Sequence, residues 1–282
     1  MPRWSERAGL GALGASLLFL AAPAPPARSQ SRTAAGAPGP VLARLAYVDR
    51  KAEQGTGAPW QEAREGTPLR IGERLRTAAD GLLRLEFPWM AMTVSPSSSV
   101  AFPDGYLLAA LLDEGRVVLE AEGREVLKLQ TGEGEVRGQG RAVVRRHGST
   151  TLVTALEGRF FVEGAGRTLA LPAGTGAIVR PGQAPLGPLT LPPPPEGLSP
   201  GRDPVYAAPG EPVELRWKAR QTAYQVEVLP VGSETVLLQR DVGAPTSLAI
   251  PWPGAFRWRV ASRDEIGLEG RPSAEGLICV DE

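Results

Sequence analysis

Residues 142–155 read Ala142-Val143-Val144-Arg145-Arg146-His147-Gly148-Ser149-Thr150-Thr151-Leu152-Val153-Thr154-Ala155. Two runs rich in Val, Thr and Ala flank a His-Gly pair. Branched side chains pack well on a pleated sheet, and a two-residue turn ending in Gly suits a type I′ hairpin. The segment therefore predicts two antiparallel strands turning at His147-Gly148. The same grammar extends on both sides. Leu83, Leu85 and Phe87 alternate with Arg84 and Glu86, and Val117, Leu119 and Ala121 stand opposite Arg116 and Glu120, which is the period of a half-buried strand. Glu157-Gly158 and Gly164-Ala165-Gly166 punctuate the strands that follow. Gly (34) and Pro (28) are dense over 282 residues, which argues against a helical bundle and for short elements joined by turns. Strand signals recurring about every 8–12 residues predict an all-β sandwich, barrel or solenoid.

Five segments follow from composition. Residues 1–29 read as a signal peptide: Arg3 and Arg7 precede the uncharged run Ala8 to Ala22, and Pro23, Pro25 and Pro26 end it. Ala27-Arg28-Ser29 offers a cleavage site after Ser29, and an uncleaved signal anchor is the alternative. No Cys follows the apolar run, so no lipoprotein is expected. Residues 30–40 read as a flexible leader. Residues 41–187 form the first β domain. Residues 188–197 form a linker, the centre of a stretch from Pro181 to Gly201 whose prolines predict extended spacer and no sheet pairing. Residues 198–282 form the second domain. There Val213, Leu215 and Trp217 alternate with Glu214, Arg216 and Lys218. Tyr224, Val226 and Val228 alternate with Gln225 and Glu227, and Phe256, Trp258 and Val260 with Arg257 and Arg259. About seven short strands predict a small sandwich with Trp217 in its core. Within the first domain, Glu114 to Glu120 matches Glu157 to Glu163, Gly123-Arg124 matches Gly166-Arg167, and Leu127-Lys128-Leu129 matches Leu169-Ala170-Leu171, an internal repeat that predicts two similar sheet units.

A family resemblance rests on Trp60-x-x-Ala63-x-x-Gly66-x-x-Leu69-x-x-Gly72-Glu73-x-Leu75-Arg76-Thr77-Ala78-Ala79-Asp80-Gly81, followed by the strand Leu83-x-Leu85-x-Phe87 and the turn Ser95-Pro96-Ser97-Ser98. This pattern resembles the opening of the FecR domain. Leu171-Pro172-Ala173-Gly174 resembles its close. The chain departs from the family at Pro88-Trp89-Met90 and at Arg137-Gly138-Gln139-Gly140-Arg141, which weakens any transfer of partner contacts. The resemblance implies an extracytoplasmic, solenoid- or sandwich-like β domain. With only seven residues ahead of the apolar run, the sigma-binding segment of the best-known relatives is not expected. The second domain resembles a fibronectin type III module of the immunoglobulin-like class, with Asp264-x-x-Gly267-x-x-Gly270-x-Pro272-Ser273 as its last loop.

The composition narrows the chemistry. One His and one Cys leave no room for a disulfide framework, a cysteine-cluster zinc site or paired imidazoles. Equal numbers of Lys+Arg and Asp+Glu, 31 each, give no sign of nucleic-acid binding. His147 falls in a turn with no nucleophile recognisably placed for it. Cys279, between Ile278 and Val280, reads as a buried packing residue. Gly132-x-Gly134 and Gly138-x-Gly140 read as turns, since no helix follows to present amides to a phosphate. Asp80, Asp104 and Asp113 read as turn acids without calcium-loop spacing. Trp60 and Trp89 are the candidate binding residues, as stacking surfaces for a peptide or carbohydrate, with core packing as the competing role. No catalytic residue, cofactor or metal is predicted. The expectation is an exported, non-enzymatic binding or scaffold protein of the periplasm or cell envelope, or a secreted one, with an envelope protein or cell-wall glycan as partner. The alternative is an inner-membrane-anchored FecR-type regulator contacting an envelope receptor; it meets the membrane only if the N-terminal segment stays uncleaved.

Overall fold

The computed structural model describes residues 40–104, 109–121 and 128–281. The signal peptide, the cleavage site and nearly all of the leader lie outside the described residues, as do Gly123 and Arg124 of the repeat.

Every regular element among the described residues is a β-strand, as the alternation predicts. The first half is a two-layer sandwich built around two 13-residue strands, Ala109–Ala121 and Glu135–His147. Each long strand serves both layers. Its partners in one layer, here termed the junction layer, are Met90–Val94 and Thr150–Ala155, and the layer continues through Leu82–Phe87 and Val41–Asp49 on one side and Thr175–Val179 on the other. In the far layer the same two strands pair with Ser99–Asp104 and Arg159–Gly164. A strand that changes layers must bend, and the bends fall at Gly115 (φ 98°) and Gly140 (φ 106°). Only glycine enters that backbone region without strain. Side chains from both layers meet in one core that includes Leu45, Leu85, Met92, Val117 and Val144 from the junction layer and Leu75, Val100, Leu129, Phe160 and Val162 from the far layer.

The hairpin turn differs by one residue from expectation. His147 pairs with Thr150, so the turn is Gly148-Ser149. Gly148 has φ 58° and Ser149 is not left-handed, the pattern of a type II′ turn, which needs positive φ only at its first position. The sequence repeat is retained only in part as structure. Gly115 to Ala121 and Arg159 to Glu163 both lie antiparallel to the same long strand, on its successive halves. The second copy then closes as a hairpin with Arg167–Pro172, whereas Lys128–Gln130 of the first runs parallel to Ala109 to Leu111. Gly138 and Gly140 lie within a continuous strand, and so does Asp113; none of the three marks a turn. Asp104 ends a strand.

The second half is a smaller sandwich. One sheet holds Val205–Ala207, Gly276–Val280, Gly254–Arg263, Ala223–Pro230 and Leu238–Val242, with Glu269–Pro272 added on Gly254–Arg263; the other holds Glu196–Ser199, Pro212–Lys218 and Thr246–Ala249. Trp217 lies in the core as predicted, edge-on to Tyr224 at 5.1 Å and 6.2 Å from Trp258. Cys279 does not. Gly276, Ile278 and Val280 face inward, so the period of two turns Cys279 to the other face, half-buried and unpaired. The proline-rich stretch also pairs, contrary to expectation: Leu186–Thr190 lies against Thr175–Val179, and Glu196–Ser199 against Pro212–Lys218. Both are edge strands, where a missing N–H costs no ladder bond.

Candidate functional site

The outward face of the junction layer carries Arg84, Glu86, Arg116, Glu120 and Arg145. The second sandwich packs against it at Arg116 and Arg145, while Glu86 stays exposed. The strand Ala223–Pro230 lays Gln225 and Glu227 over it, Gly254–Arg263 adds Arg259, and the final loop delivers Glu269 as the first residue of a strand. All four residues are buried.

Arg116 is the centre of this junction and is 3% exposed. Its Nε donates to Glu269 Oε2 at 2.9 Å and its Nη2 to Oε1 at 2.6 Å, a two-pronged pair that fits the planar guanidinium. Nη1 donates to Ser95 Oγ at 2.9 Å, and Nη2 reaches Glu227 at 3.4 Å. Arg259 Nε holds the other oxygen of Glu227 at 2.8 Å. Thr154 donates its hydroxyl to the Glu269 carbonyl at 2.8 Å, and Tyr47 donates to the Leu237 carbonyl at 3.2 Å. Burial works against the charge on Arg116, but Glu269 and Glu227 outweigh it and raise its pKa above the ordinary value. Burial likewise opposes the Glu227 carboxylate, and Arg259 and Arg116 outweigh that to lower its pKa. Small apolar clusters flank the network: Leu82 with Leu229 and Val236, and Leu152 and Ile178 with Leu268.

Two clefts open along this junction. Arg116 borders the first, a space of about 470 Å³ that also touches Arg145, Arg240, Gln239, Ser97 and His147. Burial depresses the pKa of Arg145, and the neighbouring charges of Arg263 and Arg116 add to that. Arg259 borders the second, a more open groove of about 1000 Å³. Its floor carries balanced pairs: Arg84 with Glu120 at 2.6 Å, and Arg257 with Glu234 at 2.6 Å and Glu275 at 2.7 Å.

The two predicted binding residues are placed apart. Trp89 lies in the turn joining Leu82–Phe87 to Met90–Val94, lines the larger groove and packs against the main core, with its buried indole N–H unpartnered. Trp60 belongs to the far layer, beside Gln61–Glu62, and the Arg76 guanidinium covers its ring at 4.3 Å from the centroid. His147 ends the hairpin with its side chain 92% exposed and its Nδ1 3.1 Å from Glu114. Ser97 borders the same cleft at φ 55°. Among the described residues no three His, Cys, Asp or Glu side chains are grouped as metal ligands would be.

Sequence reading missed Arg116, Arg145, Glu227, Gln239, Arg240 and Glu269. One signal was available. The chain has three Lys against 28 Arg. A solvated strand face takes either cation, whereas a buried ion pair favours the planar, weakly hydrated guanidinium.

No protein-family model matches the chain, and no curated protein matches it. Among solved structures it is similar to two crystal structures of a putative anti-sigma factor from Parabacteroides distasonis, at 12% identity and TM-scores of 0.36 and 0.35. Each alignment covers 42% of this chain and 60% of that one, so the chain spans less than two thirds of the solved structures it resembles.

Proposed function

We propose that this chain is an exported, non-enzymatic binding and scaffold protein of the periplasm or cell envelope, a FecR-like domain with a fibronectin-like sandwich seated on its outer face. The observation that carries the reading is the buried Arg116–Glu269–Glu227–Arg259 network, which ties the two sandwiches together beside two open clefts. A site whose walls are fixed before the partner arrives loses less entropy on binding. The buried charges of the Arg116–Glu269–Glu227–Arg259 network are matched to each other, as in a structural joint. They are not arranged as a nucleophile with its base. An envelope protein or a cell-wall glycan is the expected partner.

The test is native expression, with fractionation and intact mass, followed by photocrosslinking in the cell from a probe at Trp89 on the groove and a control probe at Phe161 on the far layer. The reading expects a mass starting near Gln30 in the periplasmic fraction and an envelope crosslink from Trp89 only. A full-length mass in the inner membrane would put the tethered regulator first. A cytoplasmic protein would end both readings.

A further inference from the structure

Taking the junction as the binding face, we propose that the smaller cleft holds a ligand of monosaccharide size that carries an oxyanion, carboxylate or phosphate, beside hydroxyl groups. Its volume of about 470 Å³ lies in the range of small-molecule sites.

The charge balance of the lining is the first argument. Two of its four guanidinium groups are already neutralised. Arg116 is held by Glu269, and Arg146 by both oxygens of Glu133 at 2.9 Å. Arg145 and Arg240 are not. Arg145 reaches Asp241 only at 3.5 Å, and that carboxylate is held more closely by Arg263 at 2.9 Å. Its other bond, to Gln225, is 3.4 Å long, and its Nε is buried without a partner. Arg240 donates only to the adjacent Gln239 carbonyl at 3.1 Å and forms no ion pair among the described residues, although Asp49 and Asp80 are near enough to feel its charge. Two guanidinium groups with spare donors at one cleft suit an oxyanion, which accepts from their planar forks.

The second argument is independent of charge. Gln239 borders the same cleft, is 2% exposed, and neither its amide nitrogen nor its amide oxygen has a hydrogen-bond partner among the described residues. A buried amide in that state needs a reason. A sugar hydroxyl both donates and accepts, and so suits either atom. The Ser97 hydroxyl at the rim offers another contact of the same kind.

The experiment is calorimetric titration of the full chain at low ionic strength with glucuronate, glucose 6-phosphate and neutral glucose. At least one acidic sugar should bind while glucose does not; preference between the two acids assigns carboxylate or phosphate. Arg145→Gln and Arg240→Gln should each weaken binding about tenfold or more, the worth of a charge-assisted hydrogen bond. Arg240 is partly exposed, so its variant keeps the test intact where Arg145→Gln loosens the junction. Gln239→Leu gives a readout no structural role predicts: thermal stability unchanged or higher, with binding weakened. Absence of binding by both acids below about 10 mM overturns the proposal, as does binding that survives Arg240→Gln. Neither result touches the crosslinking from Trp89, which probes the other groove.

Discussion

Replacing Arg116 with Met should cost about 3–5 kcal/mol, the range for removing one partner from a buried ion pair. The figure follows from who is left behind. Glu227 keeps Arg259 at 2.8 Å, so its carboxylate stays compensated. Glu269 loses hydrogen bonds of 2.6 and 2.9 Å and has no other side-chain donor among the described residues, while remaining buried at 5% exposure. The penalty is therefore chiefly that of one stranded carboxylate. Adding Glu269→Met removes the stranded charge, and two apolar side chains then face each other across the junction. Such exchanges are often neutral or stabilising, so the double variant should recover to within about 1 kcal/mol of wild type. The assay is denaturant unfolding followed by tryptophan fluorescence, since Trp217 and Trp258 report the second sandwich. A falling slope in the single variant would show that the two halves have begun to unfold separately. A cost below about 1 kcal/mol for Arg116→Met, or a double variant no better than the single, would refute the claim that this network holds the halves together.

Trp217→Ala should cost about 3–5 kcal/mol by the same assay, because the indole is a central member of the second core and touches Tyr224 and Trp258; a loss under about 1 kcal/mol would place it outside that core. Gly115→Ala should destabilise by about 1–3 kcal/mol from the left-handed backbone alone, with displacement of Ser98 added, since a new Cβ would overlap that residue. Unchanged thermal stability would mean that the strand can cross layers without glycine. Burial favours the protonated form of Glu133, but hydrogen bonds from Arg146 and Thr151 outweigh it and lower the pKa. A lowered folded-state value gives stability that is present above the unfolded value of about 4.3 and lost as pH falls through the folded one. The stability gap between wild type and Glu133→Gln should therefore be widest near neutral pH and close in acid; a gap that stays constant from about pH 7 to about pH 2 would remove Glu133 from the ion pairs.

Much of the fold was legible because strands announce themselves locally. Leu83-x-Leu85-x-Phe87 and Val213-x-Leu215-x-Trp217 each specify which face is buried without any knowledge of the partner strand. The turns were legible to within a residue, since Gly148 could serve either at the second position of one turn type or the first of another. The long strands were less so. Gly138 and Gly140 look like turn residues in sequence, and only the pairing of their flanks with two different layers shows that they belong to a bend within one strand.

The candidate site was the least legible part. Alternation tells that Arg116 lies opposite Val117, and a charged face reads by default as a wet one. What covers that face depends on strands more than a hundred residues away, Glu227 and Glu269 among them, and such contacts leave no periodic trace in either segment. The sequence by itself determined the strands, their apolar faces and the two sandwiches, because a period of two is set by each strand's own backbone. Only the tertiary structure decided that the polar faces of the two sandwiches meet, which carboxylate each arginine holds, and which guanidinium groups remain unmatched at the cleft, because burial and pairing of charge are properties of both surfaces together and of neither alone.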